Sequence, residues 1–138
     1  MIKIALSFFI VGTIILFAND NYELKLYENI LPAIFKTTPI KVYADKNIAK
    51  LLSKSKNFVI TSICDQSVSL IIGKNFKNIS YDCQDKPLFA TSYRWYKNYK
   101  NSIGAFYWRK GRPQLKFKRK ALNRFNIELP KELLKYAQ

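Results

Sequence analysis

Histidine is missing from this sequence, and cysteine occurs only twice. Without an imidazole there can be no His-based nucleophilic triad and no histidine metal centre. A single cysteine pair cannot by itself close a four-ligand zinc site. Acidic residues are scarce too, 9 against 24 lysines and arginines. They are scattered, so no two carboxylates stand at the helical spacing that paired acid–base chemistry would use. With only 4 glycines and 5 prolines, the chain has no linker, repeat or low-complexity tract. The lone Gly73-Lys74 pair after an apolar stretch lacks the rest of a phosphate loop. These absences point to a non-enzymatic protein, and nothing here implies a cofactor.

Positive charge is what the sequence has in excess. The formal net charge is +15 over 138 residues, a length that allows one domain with a core of its own. The charge is segregated. No Asp or Glu lies between Lys86 and Ile127, where Arg94, Lys97, Lys100, Arg109, Lys110, Arg112, Lys116, Lys118, Arg119, Lys120 and Arg124 all fall. Tyr93, Trp95, Tyr96, Tyr99, Tyr107 and Trp108 are interleaved with them. Such a mixture suits an acidic protein partner or an anionic membrane surface. Single-stranded nucleic acid would also fit its chemistry, but an exported chain rarely meets it. The plain alternative is a solvated cationic face above core aromatics.

Export is the reading of the first 18 residues. Lys3 precedes an apolar run from Ile4 to Ala18, and Asn19-Asp20 follow. This is the layout of a secretory signal peptide cleaved after Ala18, leaving residues 19–138 as the mature domain. The run is shorter than the ~20 apolar residues of a spanning helix. Leu16, larger than the usual small residue before a cleavage point, keeps an uncleaved anchor as the alternative. No cysteine stands near Ala18, which excludes lipid attachment there. In an oxidising compartment Cys64 and Cys83 are expected to form a disulfide.

Hydrophobic periodicity then sets out the elements. Asp20 and Glu23 have capping-box spacing ahead of an apolar stripe, Leu24, Tyr27, Ile30, Leu31, Ile34 and Phe35. Pro32 within it predicts a helix that starts late or bends. Ile40–Ala44 alternates as a strand, and Asp45 can cap a short helix with Ile48, Leu51 and Leu52 inward. Phe58–Ile63 and Val68–Ile72 read as β-branched strands, Asn78–Tyr81 as a short edge strand and Pro87–Thr91 as another. Arg94–Asn101 reads as a loop or one helical turn.

The chain is organised around Ser102–Pro130. Two apolar runs flank Arg109-Lys110-Gly111-Arg112, where Gly111 allows a tight reversal, and Leu115 and Phe117 alternate with Lys116 and Lys118. That predicts a β-hairpin with a cationic tip. A helix with Ala121, Leu122 and Phe125 follows, closed by Asn126 in a left-handed cap. Ile127 and Leu129 lead to Pro130 and a last helix with Leu133, Leu134 and Ala137 inward. Strand, helix, strands, hairpin and helices predict an α/β single layered domain with a mixed, mostly parallel sheet.

This C-terminal third resembles the YfiR-like family of small periplasmic proteins. Gly104 fits the family's first glycine, Gly111 its turn, and Leu115 and Phe117 its second strand. Ala121 and Leu122 match its helix, Ile127 and Leu129 the apolar step, and Leu133, Leu134 and Ala137 the closing helix. Asn126 and Lys118 depart from the glycine and asparagine common there, and the cysteine pair lies earlier in the chain than in some members. The resemblance implies a periplasmic, often dimeric domain that restrains an inner-membrane diguanylate cyclase and so lowers cyclic di-GMP. The expected partner is then the periplasmic part of a membrane-bound signalling protein. Arg94, Trp95, Arg109, Lys110 and Arg112 are the candidate partner- or anion-binding residues. The alternative function is small-solute binding, with Arg94, Trp95 and Arg112 around an anionic ligand.

Overall fold

The computed structural model describes residues 15–74 and 79–138. Most of the segment read as a signal peptide lies outside these residues. Helix α1 spans Ile15–Phe35, strand β1 Ile40–Ala44, helix α2 Lys46–Leu52, and strands β2 and β3 Phe58–Thr61 and Leu70–Gly73. Strand β4 (Leu88–Ala90), helix α3 (Tyr93–Asn98), the hairpin β5–β6 (Ser102–Arg109 and Arg112–Phe117) and helix α4 (Arg119–Arg124) follow. Among the described residues there are also two 3-10 segments, Tyr81–Cys83 and Lys131–Tyr136.

The six strands form one sheet in the order β2-β1-β3-β4-β5-β6. All neighbours are parallel except β5 and β6, which are antiparallel. The domain is therefore α/β, with the mostly parallel sheet, C-terminal hairpin and flanking helices that the pattern predicts. Because β1 lies between β2 and β3, the strand order reverses beside it. In doubly wound sheets that reversal opens a crevice beyond the carboxyl ends of the two strands, where ligands bind.

Side-chain alternation divides the interior between the two faces of the sheet. On one face Ile40, Val42, Leu70, Ile72, Phe89 and Phe106 meet Tyr27, Leu31 and Ile34 of α1, Leu52 of α2 and Leu122 of α4. Val68, Ile71, Leu88, Ala105 and Tyr107 on the other face meet Tyr96 of α3 and the two cysteines. Cys64 and Cys83 are bridged, with their Cα atoms 5.7 Å apart, as the export reading expects.

Local signals placed several ends closely. Asp45 caps α2, accepting the Ile48 amide at 3.1 Å, and Asn126 takes the left-handed conformation at φ 55° after α4. Helix α1 differs from the expectation. It is already under way at Ile15 and passes through Pro32, so Asp20 lies inside it and does not start it. Arg94–Asn101 resolves in favour of helix, with Ser92 accepting the Trp95 amide as cap.

Two expectations are corrected. The segment read as an edge strand at Asn78–Tyr81 becomes, where described, an irregular run entering the 3-10 turn Tyr81–Cys83. The Cys83 amide bonds the Ser80 carbonyl, and the Ser80 hydroxyl donates to the Cys64 carbonyl at 2.7 Å. The disulfide turn thus takes the groups a strand ladder would need. At the C-terminus the segment is 3-10, and only Leu133 of the expected inward residues is buried, while Leu134 is 43% exposed. Three residues per turn set consecutive leucines on different sides.

Candidate partner interface at the hairpin tip

The hairpin owes its form to alternation and to a two-residue turn. Gly104, Phe106 and Trp108 on β5 pair with Phe117, Leu115 and Pro113 on β6, while Ala105, Tyr107 and Arg109 pair with Lys116, Gln114 and Arg112. The first set packs toward α1, with Trp108 and Phe106 rings 5.7 Å apart and Tyr22 5.9 Å from Trp108. Pro113 is tolerated because β6 is the sheet edge. Lys110 and Gly111 both have positive φ, 51° and 77°, the conformation of a turn whose twist matches its strands. Only Gly111 announces this in the sequence.

The tip is thereby densely cationic. Arg109 and Arg112 are direct cross-strand partners, with Lys110 in the turn between them, and all three are exposed. Like charges placed opposite one another on a strand pair repel. Among the described residues no hydrogen bond or ion pair holds either guanidinium. Below the tip, Tyr107 packs its ring 5.9 Å from Tyr93. Burial raises the Tyr107 pKa, with the Arg109 charge opposing it, and its buried hydroxyl has no partner in the described chain.

The other expected residues divide. Arg94 is exposed on α3. Trp95 is half-buried and its ring lies 5.5 Å from Tyr99, packed with the disulfide cluster. Two cations of the acid-free segment are structural. Lys118 donates to the Tyr96 and Tyr99 carbonyls at 2.6 and 3.2 Å, with its ammonium 5.1 Å above the Tyr96 ring. Burial, helped by Arg124, lowers its pKa. Arg124 donates to the Lys100 carbonyl at 2.7 Å.

Sequence reasoning missed a contact made where the strand order reverses. One oxygen of Asp45 takes the Ile48 amide and the other the Lys74 amide at 3.3 Å, across from β1 to the end of β3. The chain's own carboxylate uses the amide donors an anionic ligand would seek there. The spacing Asp45 to Ile48 signals the cap, but nothing local signals Lys74.

No protein-family model matches this chain, and no curated protein matches it. The described residues hold no group of His, Cys, Asp and Glu that could bind a metal ion. No helix among them is long and apolar enough to cross a membrane. The disulfide is compatible with export.

Proposed function

We propose that the protein is an exported, non-enzymatic regulatory domain that docks its cationic hairpin tip on an acidic face of the periplasmic part of an inner-membrane signalling protein. A diguanylate cyclase is the partner class, so that docking changes cyclic di-GMP output. The observation that carries this reading is the Arg109–Arg112 cross-strand pair flanking Lys110, a concentration of exposed charge that the fold does not neutralise. An acidic partner removes that repulsion on binding and is steered to the tip by its field. The solute-binding alternative has less support. At the carboxyl ends of β1 and β3 Asp45 already accepts the Lys74 amide, and Trp95 packs its ring against Tyr99.

The test replaces Arg109, Lys110 and Arg112 together by Ser. Surface changes of this kind shift stability by about 0.5 kcal/mol or less, so the melting temperature should hardly move. Capture of the partner from a membrane extract should fall, and raising the salt should weaken wild-type capture toward the variant's level. Capture and cyclic di-GMP output both equal to wild type would overturn the proposal.

A further inference from the structure

We propose that a second site, at the pole opposite the hairpin tip, binds a short zwitterionic peptide carrying an aromatic side chain. The inference goes beyond the docking reading and does not depend on it. A cleft of about 900 Å³ opens at the amino-terminal ends of β3, β4 and β5, within the size range of ligand pockets. One bank is the disulfide turn, which contributes Tyr81, Asp82 and Asp85; the other, from the α3–β5 junction and the end of α4, contributes Lys100, Arg124 and Phe125.

Three features of these banks select the ligand. First, both signs of charge face one space, and among the described residues no ion pair joins Asp82 or Asp85 to Lys100 or Arg124. A protein of net charge +15 attracts anions over much of its surface and repels simple cations. Opposed and unpaired charges about one cleft favour a ligand that carries both. Second, Tyr81 is 86% exposed although it is held on a turn tied down by the bridge, and Tyr99 and Phe125 stand half-buried nearby. Aromatic faces of this kind take a ring by offset or edge packing.

Third, the walls are built before any ligand arrives. Arg124 bonds the Lys100 carbonyl at 2.7 Å and the Asn101 side chain at 3.3 Å. Asn101 in turn bonds the Gln84 carbonyl at 2.9 Å, and Gln66 the Asp82 carbonyl at 2.9 Å. Three connections are thus fastened to one another with the carboxylates of Asp82 and Asp85 left outside the network. Preorganised walls lower the ordering a ligand must impose.

The experiment titrates the exported, bridged protein with glycyl-phenylalanyl-glycine by calorimetry and by amide chemical shifts. Dissociation at a millimolar concentration or below is expected. N-acetylation, C-amidation and replacement of phenylalanine by alanine should each weaken binding by about two- to fivefold, as the loss of one charge or ring contact predicts. In the double variant Asp82→Asn, Asp85→Asn the acetylated and free peptides should bind alike. In Lys100→Met, which leaves Arg124 in place, the difference between the amidated and free peptides should shrink. The tip variant should bind as wild type does, which separates this site from the docking surface. No saturable binding at about 10 mM peptide, or equal binding of the free and the doubly blocked peptide, would overturn the proposal.

Discussion

A Cβ built on Gly104 would stand 2.7 Å from the Lys116 carbonyl oxygen, 2.8 Å from Phe117 Cδ1 and 2.9 Å from Phe89 Cε1. The nearest of these is β6 backbone, which cannot yield without breaking the hairpin register. Gly104→Ala is therefore expected to cost about 2–3 kcal/mol, the upper range of an overpacked core. Gly111 has open space around it but a φ of +77°; Gly111→Ala should cost about 1 kcal/mol, from backbone strain alone. Urea unfolding of both variants tests the ranking, and equal losses would refute the crowding argument. Tyr96 sets an alkaline limit. Burial, with the neighbouring phenols of Tyr107 and Tyr93 adding, pushes its pKa up to about 12 from 10.0, and its hydroxyl donates to Gln138 at 3.0 Å. The unfolded chain therefore ionises first. Stability tied to neutral Tyr96 is complete below pH 10 and is lost as pH rises toward about 12. Denaturation series across that interval should show the decline in wild type and a smaller one in Tyr96→Phe.

Among the elements, the disulfide turn stands where an edge strand was expected. It lies between β3 and β4, and its Cys83, bridged to Cys64 of the β2–β3 connection, covers the second face of the sheet with two buried cysteines. The bridge spans 19 positions, so its removal should cost roughly 3 kcal/mol in the chain-entropy description. The double variant Cys64→Ala, Cys83→Ala should unfold at correspondingly lower denaturant. Alkylation of the unreduced protein should label neither cysteine, and two labelled thiols would refute the pairing. Helix α1 holds the domain through Tyr27, Ile30, Leu31 and Ile34, all buried and all beyond Ala18. A chain beginning at Asn19 keeps that packing face whole.

At the scale of the molecule, charge and cavity sit at opposite poles. The hairpin tip lies at the carboxyl end of β5, and the cleft at the amino ends of β3, β4 and β5. Net charge alone would make association insensitive to where the cations are removed. A local docking surface makes it position-dependent. Replacing Lys50, Lys54 and Lys56, exposed near the start of β2, by Ser removes the same charge as the tip variant. Partner capture should stay near the wild-type level in that control and fall in the tip variant, measured at equal salt. Equal losses in the two would assign the attraction to net charge.

Much of this architecture is written within short stretches of sequence. Alternation at Ile40–Ala44, the Asp45–Ile48 cap, the Gly111 turn and Asn126 each depend on a few neighbouring residues, and each appears in place. The cysteine pairing was legible because only one pair exists. The cationic tip was legible too, since turn chemistry and charge coincide at Arg109–Arg112. What lay beyond the sequence depends on long-range placement. Nothing local says that β3 docks on the free side of β1, that Asp45 then meets Lys74, or that Lys118 reaches back to the end of α3. Nor does apolar spacing tell a 3-10 segment from an α-helix, which is why Leu134 turned outward. Period and turn type are local energies, whereas strand order and the cleft between banks are decided by which distant surfaces bury each other.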